Sequence, residues 1–206
     1  RGCVNGYMPM VLIDQEGGRV QRLKPPHWRD APAASRFAAL HKSDRELASK
    51  AVHLNNRLIA HELADLGINV NCAPVLDLPQ PGADPIIGDR ALGDDPDTIA
   101  TLAAAACEGF LEGGVLPVIK HIPGHGRADV DSHAALPSVD ADLETLSNTD
   151  FAPFRALQDM PWAMTAHVLY QALDADQPAT LSAEAIRMIR QDIGFDGVLV
   201  SDDLSM

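Results

Sequence analysis

Short apolar runs recur along the chain, separated by stretches long enough for helices, and nearly every run ends on a charged residue or a histidine. The runs cover residues 10–13, 68–75, 115–119, 162–168 and 198–201. They end at or near Asp14, Asp77, Lys120-His121 and Asp202, and His167 lies late in the remaining one. Strands that are apolar on both sides are those of a parallel sheet covered by helices. Ser43 and Glu46 have the spacing of a capping box. Beyond them Leu47, Ala51, Leu54, Leu58, Leu63 and Leu66 recur at helical spacing up to Gly67. Asp95-Pro96 opens a second helix that Gly113-Gly114 closes. Helical patterns follow over 143–158, broken near Pro153, and over 182–192, ended by Gly194.

Two architectures fit such alternation, an open doubly wound sheet and a (β/α)₈ TIM barrel. A doubly wound nucleotide binder needs a glycine-rich phosphate turn, and neither GxGxxG nor GxxxxGK[ST] occurs. Polar residues gathered at the carboxyl ends of the strands are what a barrel enzyme uses to build its site. The expected fold is therefore an α/β, (β/α)₈ barrel. Five strands are visible where a barrel has eight and takes roughly 250 residues, so the chain reads as one partial catalytic barrel domain, 1–206, with strands missing at both ends.

Composition narrows the function. Of 206 residues 46% are hydrophobic and only 4% aromatic, enough apolar material for a sizeable core. The formal net charge of −13 repels phosphate backbones and anionic lipid, which argues against nucleic-acid or membrane partners. No apolar run reaches the length of a membrane span. Cys3, Cys72 and Cys107 are odd in number and widely spaced, so neither a disulfide framework nor a zinc knuckle is expected, and a reducing compartment fits.

Three segments carry chemistry. In VLIDQEGGRVQR, residues 11–22, Asp14 and Arg22 offer a carboxylate and a guanidinium fork, suited to vicinal hydroxyls; an internal Asp–Arg salt bridge is the alternative. In KHIPGHGRADVDSH, residues 120–133, glycines and a proline surround three histidines on a strand end. Metal ligation by His121, His125, Asp129, Asp131 and His133 is conceivable, but no HExxH or regular zinc spacing supports it, and no metal is expected. In VLVSDDLSM, residues 198–206, two acidic residues follow a buried strand directly.

Together with IGDR, residues 87–90, these segments resemble family 3 glycoside hydrolases, specifically their bacterial β-N-acetylhexosaminidase branch: IDQEGGRVQR, GDRALGDDP, KHIPGHG, DSH and SDDLSM occur in the family's order. The resemblance implies a retaining exo-β-N-acetylglucosaminidase that releases terminal β-linked N-acetylglucosamine from cell-wall muropeptides through a covalent glycosyl-aspartate. It implies Asp202 as nucleophile, His133 as general acid/base, Asp131 as its orienting partner, and Asp14, Arg22, Arg90, Lys120 and His121 as sugar-binding residues. A cytoplasmic, monomeric enzyme without a cofactor is expected. A histidine repels anions less than a carboxylate does, so phosphate in place of water stays open as acceptor. A family 3 β-glucosidase, another exo-glycosidase, or a catalytically silent carbohydrate-binding barrel are the alternatives.

Overall fold

A computed structural model describes residues 9–130 and 136–204. Strand β1, Leu12–Ile13, is followed by α1, Ala34–His41, and α2, Arg45–Asp65. Then come β2, Val70–Asn71, a 3₁₀ turn at Gly88–Arg90, α3, Pro96–Glu112, and β3, Leu116–Ile122. The remainder comprises β4, Ser138–Val139; α4, Leu143–Asn148; α5, Ala152–Ala156; β5, Trp162–Thr165; β6, Leu169–Tyr170; α6, Ala183–Met188; and β7, Val198–Ser201.

The main sheet has the order β1-β2-β3-β5-β7, every pair parallel, and β4 and β6 form a separate parallel pair. Each strand of the main sheet lies beside the one that precedes it. A doubly wound sheet would reverse its order at a switch point, whereas a barrel wall runs in sequence. The barrel class expected from the strand ends is thus the one the main sheet follows, with five strands in it among the described residues.

Alternation along the strands divides the core. Ile119 and Ala163 face the helices and join Leu102, Ala106, Phe154 and Ile189. Their neighbours Val118 and Met164 face the other way, into a smaller cluster with Val70 and Cys72 and with Leu116, Trp162 and Val200 beside it. No helical residue belongs to that second cluster, which lines the concave side of the wall.

On α2, Leu47, Leu54 and Leu58 are exposed, Leu54 by 55%, whereas Leu63 is buried. The buried face consists of Ala48, Val52, Asn55, Asn56, Ile59, Ala60 and Leu63. Close approach to α3 selects these smaller residues. A Cβ on Gly109 would sit 2.3 Å from the His53 carbonyl oxygen, and one on Gly113 2.3 Å from Ala60 Cβ. The cap of α2 is Asp44, not Ser43. Asp44 is extended and accepts from Leu47 N–H, while the Ser43 hydroxyl donates back to Leu40 of α1 and Glu46 pairs with Lys50. Asp44→Ala is therefore expected to cost about 1 kcal/mol, a fall in Tm of roughly 2–4 °C for a domain of this size, and Ser43→Ala less than half of that; thermal melts of the two variants check it.

Other signals correspond to the structure. Gly67, at φ +81, follows α2 in a Schellman arrangement: its N–H donates to Ala64 and that of Ile68 to Leu63. Asp95 caps α3 through Thr98 N–H, and Ser182 caps α6 through Ala185 N–H. Residues 143–158 form two helices, because Pro153 sits in the first turn of α5. The strands are shorter than the apolar runs. β2 stops at Asn71 ahead of Pro74, which has no N–H to give, and pairing resumes only as a bridge between Val75 and Lys120. β5 ends at Thr165, so His167 lies in the connection to β6.

Candidate active site

The ends of β1, β3 and β7 open into a cleft of about 190 Å³. Asp14, Arg22, Arg90, Lys120, His121 and Asp202 all line it. Asp131 and His133 lie outside the described residues. Strict alternation would send Lys120 and His121 to opposite faces of β3. The register against β5 shifts between Lys120 and Ile122, an irregularity that re-aims side chains and lets both reach the cleft.

The loop after β1 is built to hold still. Asn71 and Gln15 exchange hydrogen bonds, and the Gln15 amide oxygen accepts from the N–H groups of Arg22 and Leu23. Gly17 is at φ +100, and a Cβ there would meet the Pro32 carbonyl oxygen at 2.5 Å. Arg19 ties this loop to the 3₁₀ turn that carries Arg90, pairing with Asp89 at 2.8 Å and donating to backbone carbonyls of Pro85, Ile86 and Ile87.

Charges alternate across the cleft floor. The Lys120 ammonium lies 2.9 Å from Asp14 Oδ1 and 2.7 Å from Glu16 Oε1. Glu16 also accepts from Arg90 Nε and Nη2, at 2.9 and 2.8 Å. Arg22, at the exposed rim, approaches Asp14 at 3.5 Å, so the pair forms the salt bridge and both residues line the cleft. Burial pushes the Glu16 carboxyl up, but Lys120 and Arg90 outweigh it and hold its pKa at about 2. Burial likewise opposes the charge on Lys120, and Glu16 and Asp14 reverse that, raising its pKa.

A second chain of groups leads to Asp202. Asp77, fully buried, accepts from His121 Nδ1 at 2.6 Å and from the backbone N–H groups of His121 and His125 at 3.2 and 2.6 Å. The far nitrogen of His121, Nε2, stands 3.9 Å from Asp202 Oδ2. Burial favours the neutral carboxyl of Asp77; the His121 interaction and the other donors prevail and hold it at about 2. His125 packs edge-on against His121, its centroid 5.7 Å away, and burial lowers its pKa. His167 has a defined place too: its ring bridges Thr180 Oγ1 and the backbone oxygen of Asp203, which ties the end of β5 to the Asp202 loop. Among the described residues no group of three or more His, Cys, Asp or Glu side chains is arranged to hold a metal ion.

Glu16 was not singled out in the sequence, and Asp77 was placed there only as a strand-end carboxylate with no assigned role. Glu16 had a signal, since it lies two positions from Asp14 and so shares its side of the extended segment. Both carboxyls titrate well below their ordinary range, so they add stability above the unfolded pKa and lose it as pH falls towards about 2. Unfolding free energy is expected to drop by on the order of a few kcal/mol between about pH 5 and pH 2, and Glu16→Gln should flatten that slope. Urea titrations across this range measure it.

Residues 5–206 match the profile of the glycosyl hydrolase family 3 N terminal domain. The chain belongs to glycosyl hydrolase family 3. Family 3 relatives align along nearly all of it. The β-hexosaminidase of Alkalilimnicola ehrlichii is 40% identical over 200 residues, covering 96% of this chain and 57% of that protein. For the β-hexosaminidase LpqI of Mycobacterium tuberculosis the identity is 37% over 212 residues, with 97% and 52% covered. Two solved structures superpose closely. The β-N-acetylglucosaminidase from Paenibacillus sp. str. FPU-7 has a TM-score of 0.90 at 38% identity, covering 98% of this chain and 38% of that one. NagZ from Neisseria gonorrhoeae in complex with N-trifluoroacetyl-D-glucosamine has a TM-score of 0.89 at 38% identity, covering 96% and 58%. The chain thus spans about half the length of the curated relatives it matches.

Proposed function

We propose that this chain carries the active site of a retaining exo-β-N-acetylglucosaminidase. The observation that supports it most is the position of Asp202: a carboxylate at the end of β7, facing an Asp77-anchored histidine across a cleft whose floor holds the buried cations Lys120 and Arg90. Relatives called β-hexosaminidases and a ligand of the N-acylglucosamine type in the Neisseria NagZ structure support the sugar class.

In this mechanism the Asp202 carboxylate attacks the anomeric carbon. The bond to the leaving oxygen breaks as His133, oriented by Asp131, donates a proton to it. Water then cleaves the glycosyl-aspartate, giving its proton to His133, and the anomeric configuration is retained. Asp14, Arg22, Arg90, Lys120 and His121 bind the hydroxyls of the terminal sugar, carboxylates accepting and cations donating. The proposed substrates are cell-wall muropeptides with a terminal β-linked N-acetylglucosamine, and the proposed setting is a cytoplasmic monomer that needs no cofactor.

Release of p-nitrophenol from the β-N-acetylglucosaminide and the β-glucoside tests this in the intact protein. Preferential turnover of the acetamido substrate is expected. Preference for the glucoside would reassign the enzyme as a β-glucosidase, and turnover of neither would return the site to a silent carbohydrate binder.

A further inference from the structure

Lys120 and Arg90 meet any ligand from a buried position, and something must decide which of their protons face the cleft. An ammonium has three donors and a guanidinium five. Asp14 alone is a poor anchor for Lys120: its side chain is 37% exposed and is shared with Arg22 at the rim. Glu16 is different. Its side chain is 8% exposed, it accepts from Arg90 in a two-pronged contact, and the same Oε1 pairs with Lys120. Behind it a cavity of about 30 Å³ is walled by apolar groups such as Phe37, Val52 and Leu92 and by Asn55 and Asn56, and Arg90 is the only cation lining it among the described residues. Lys120 and Arg90 are therefore the two cations that Glu16 pairs with among the described residues.

We propose that Glu16 is a positioning residue for sugar recognition, taking the inward protons of Lys120 and Arg90 so that each presents its remaining N–H groups to the ligand in a fixed direction. The inference rests on the glycosidase reading of the cleft. Glu16 itself need not touch the sugar, because three of its roughly four acceptor sites are already engaged by the two cations. The shared carboxylate also couples the cations: loss of its charge frees the Arg90 fork and leaves Lys120 buried with Asp14 as its one ion-pair partner among the described residues.

The test compares intact wild-type protein with Glu16→Gln and Glu16→Asp, reading KM, kcat, the pH profile of kcat/KM on the p-nitrophenyl β-N-acetylglucosaminide, and Tm. Hydrogen bonds to charged groups set the scale, so Glu16→Gln is expected to raise KM roughly 10- to 100-fold, with a smaller change in kcat. The pH profile is the readout that a merely structural role would leave alone. Lys120 is faced by Asp14 and Glu16 from the β1 loop, Arg90 from the 3₁₀ turn, Cys72 after β2, His121 on its own strand and Asp202 after β7. Without the Glu16 charge, burial and Arg90 act against Asp14 alone at close range, so the alkaline limb that follows loss of the Lys120 proton, above the one set by His133, should move down by about one pH unit or more. Glu16→Asp, which keeps the charge, should restore the limb while KM stays raised. A folded Glu16→Gln with wild-type KM and alkaline limb overturns the proposal. If Glu16→Gln does not fold, Glu16→Asp decides: a raised KM supports the role and an unchanged KM overturns it. A wild-type protein that cleaves no glycoside overturns the glycosidase reading instead, which is a distinct outcome.

Discussion

Asp202→Ala is expected to lower kcat by about 10⁴-fold or more while leaving the protein folded, since removal of a catalytic nucleophile forfeits the covalent route altogether. Asp202 is well placed for a harmless truncation. It follows β7 at the mouth of the cleft, its side chain is partly exposed, and its direct ion-pair neighbour is His121 Nε2 at 3.9 Å. Among the described residues no buried cation is left unpaired when it goes, so Tm should change little. The variant also offers a positive signal. Azide fits the space vacated by a carboxylate and attacks the opposite face from the leaving group, so the rescued product is the α-glycosyl azide. Recovery of that product identifies Asp202 as the nucleophile. A variant with wild-type kcat removes it from the mechanism, whatever else the cleft does.

Asp77→Asn is expected to have the second largest effect, a fall in kcat/KM of about 10²–10⁴-fold. Asp77 touches no ligand: it is fully buried behind His121. Its two oxygens accept from one ring nitrogen and two backbone N–H groups, which fixes the ring and assigns the Nδ1 proton. Asparagine keeps the size but has one accepting oxygen instead of two. With that oxygen on the backbone donors, its amide N–H groups face Nδ1 and demand a lone pair there. The proton then moves to Nε2, the nitrogen beside Asp202, and the tautomer seen by the substrate is reversed. Kinetics on a folded variant, with the imidazole nitrogens followed by NMR, distinguish this from simple loss of structure. Activity within about threefold of wild type together with an unchanged tautomer would contradict the role, since a hydrogen-bond change worth less than about 1 kcal/mol is all that such a ratio allows.

The parts of this site that were legible in the sequence are those in which a local pattern has only one structural outcome. Asp14, Lys120, His121 and Asp202 each follow an apolar run, and parallel strands in sequential order bring all their carboxyl ends to one side. Cap and stop residues such as Asp95, Ser182 and Gly67 act on their own neighbours, so they read correctly as well. Helical spacing alone does not choose the buried face of α2. Leu47, Leu54 and Leu58 have good helical spacing, but so do Ala48, Val52, Ile59 and Leu63. The choice between the faces is made by Gly109 and Gly113 on another helix. Strands β4 and β6 have two residues each, too few for any periodic signal. Glu16 and Asp77 owe their meaning to partners 74 and 44 residues away. Nothing around either residue specifies those partners, and only the folded wall brings them within reach.

The most direct test of the account is to trap the covalent intermediate. A fluorinated N-acetylglucosaminyl fluoride, which slows hydrolysis of the glycosyl-enzyme more than its formation, is incubated with the intact protein and the peptides are mapped by mass spectrometry. One added fluorinated N-acetylhexosaminyl group per protein is expected, on the peptide that contains Asp202 and on that side chain. An adduct on any other residue, or turnover of the glycoside with inversion and no adduct, would contradict it.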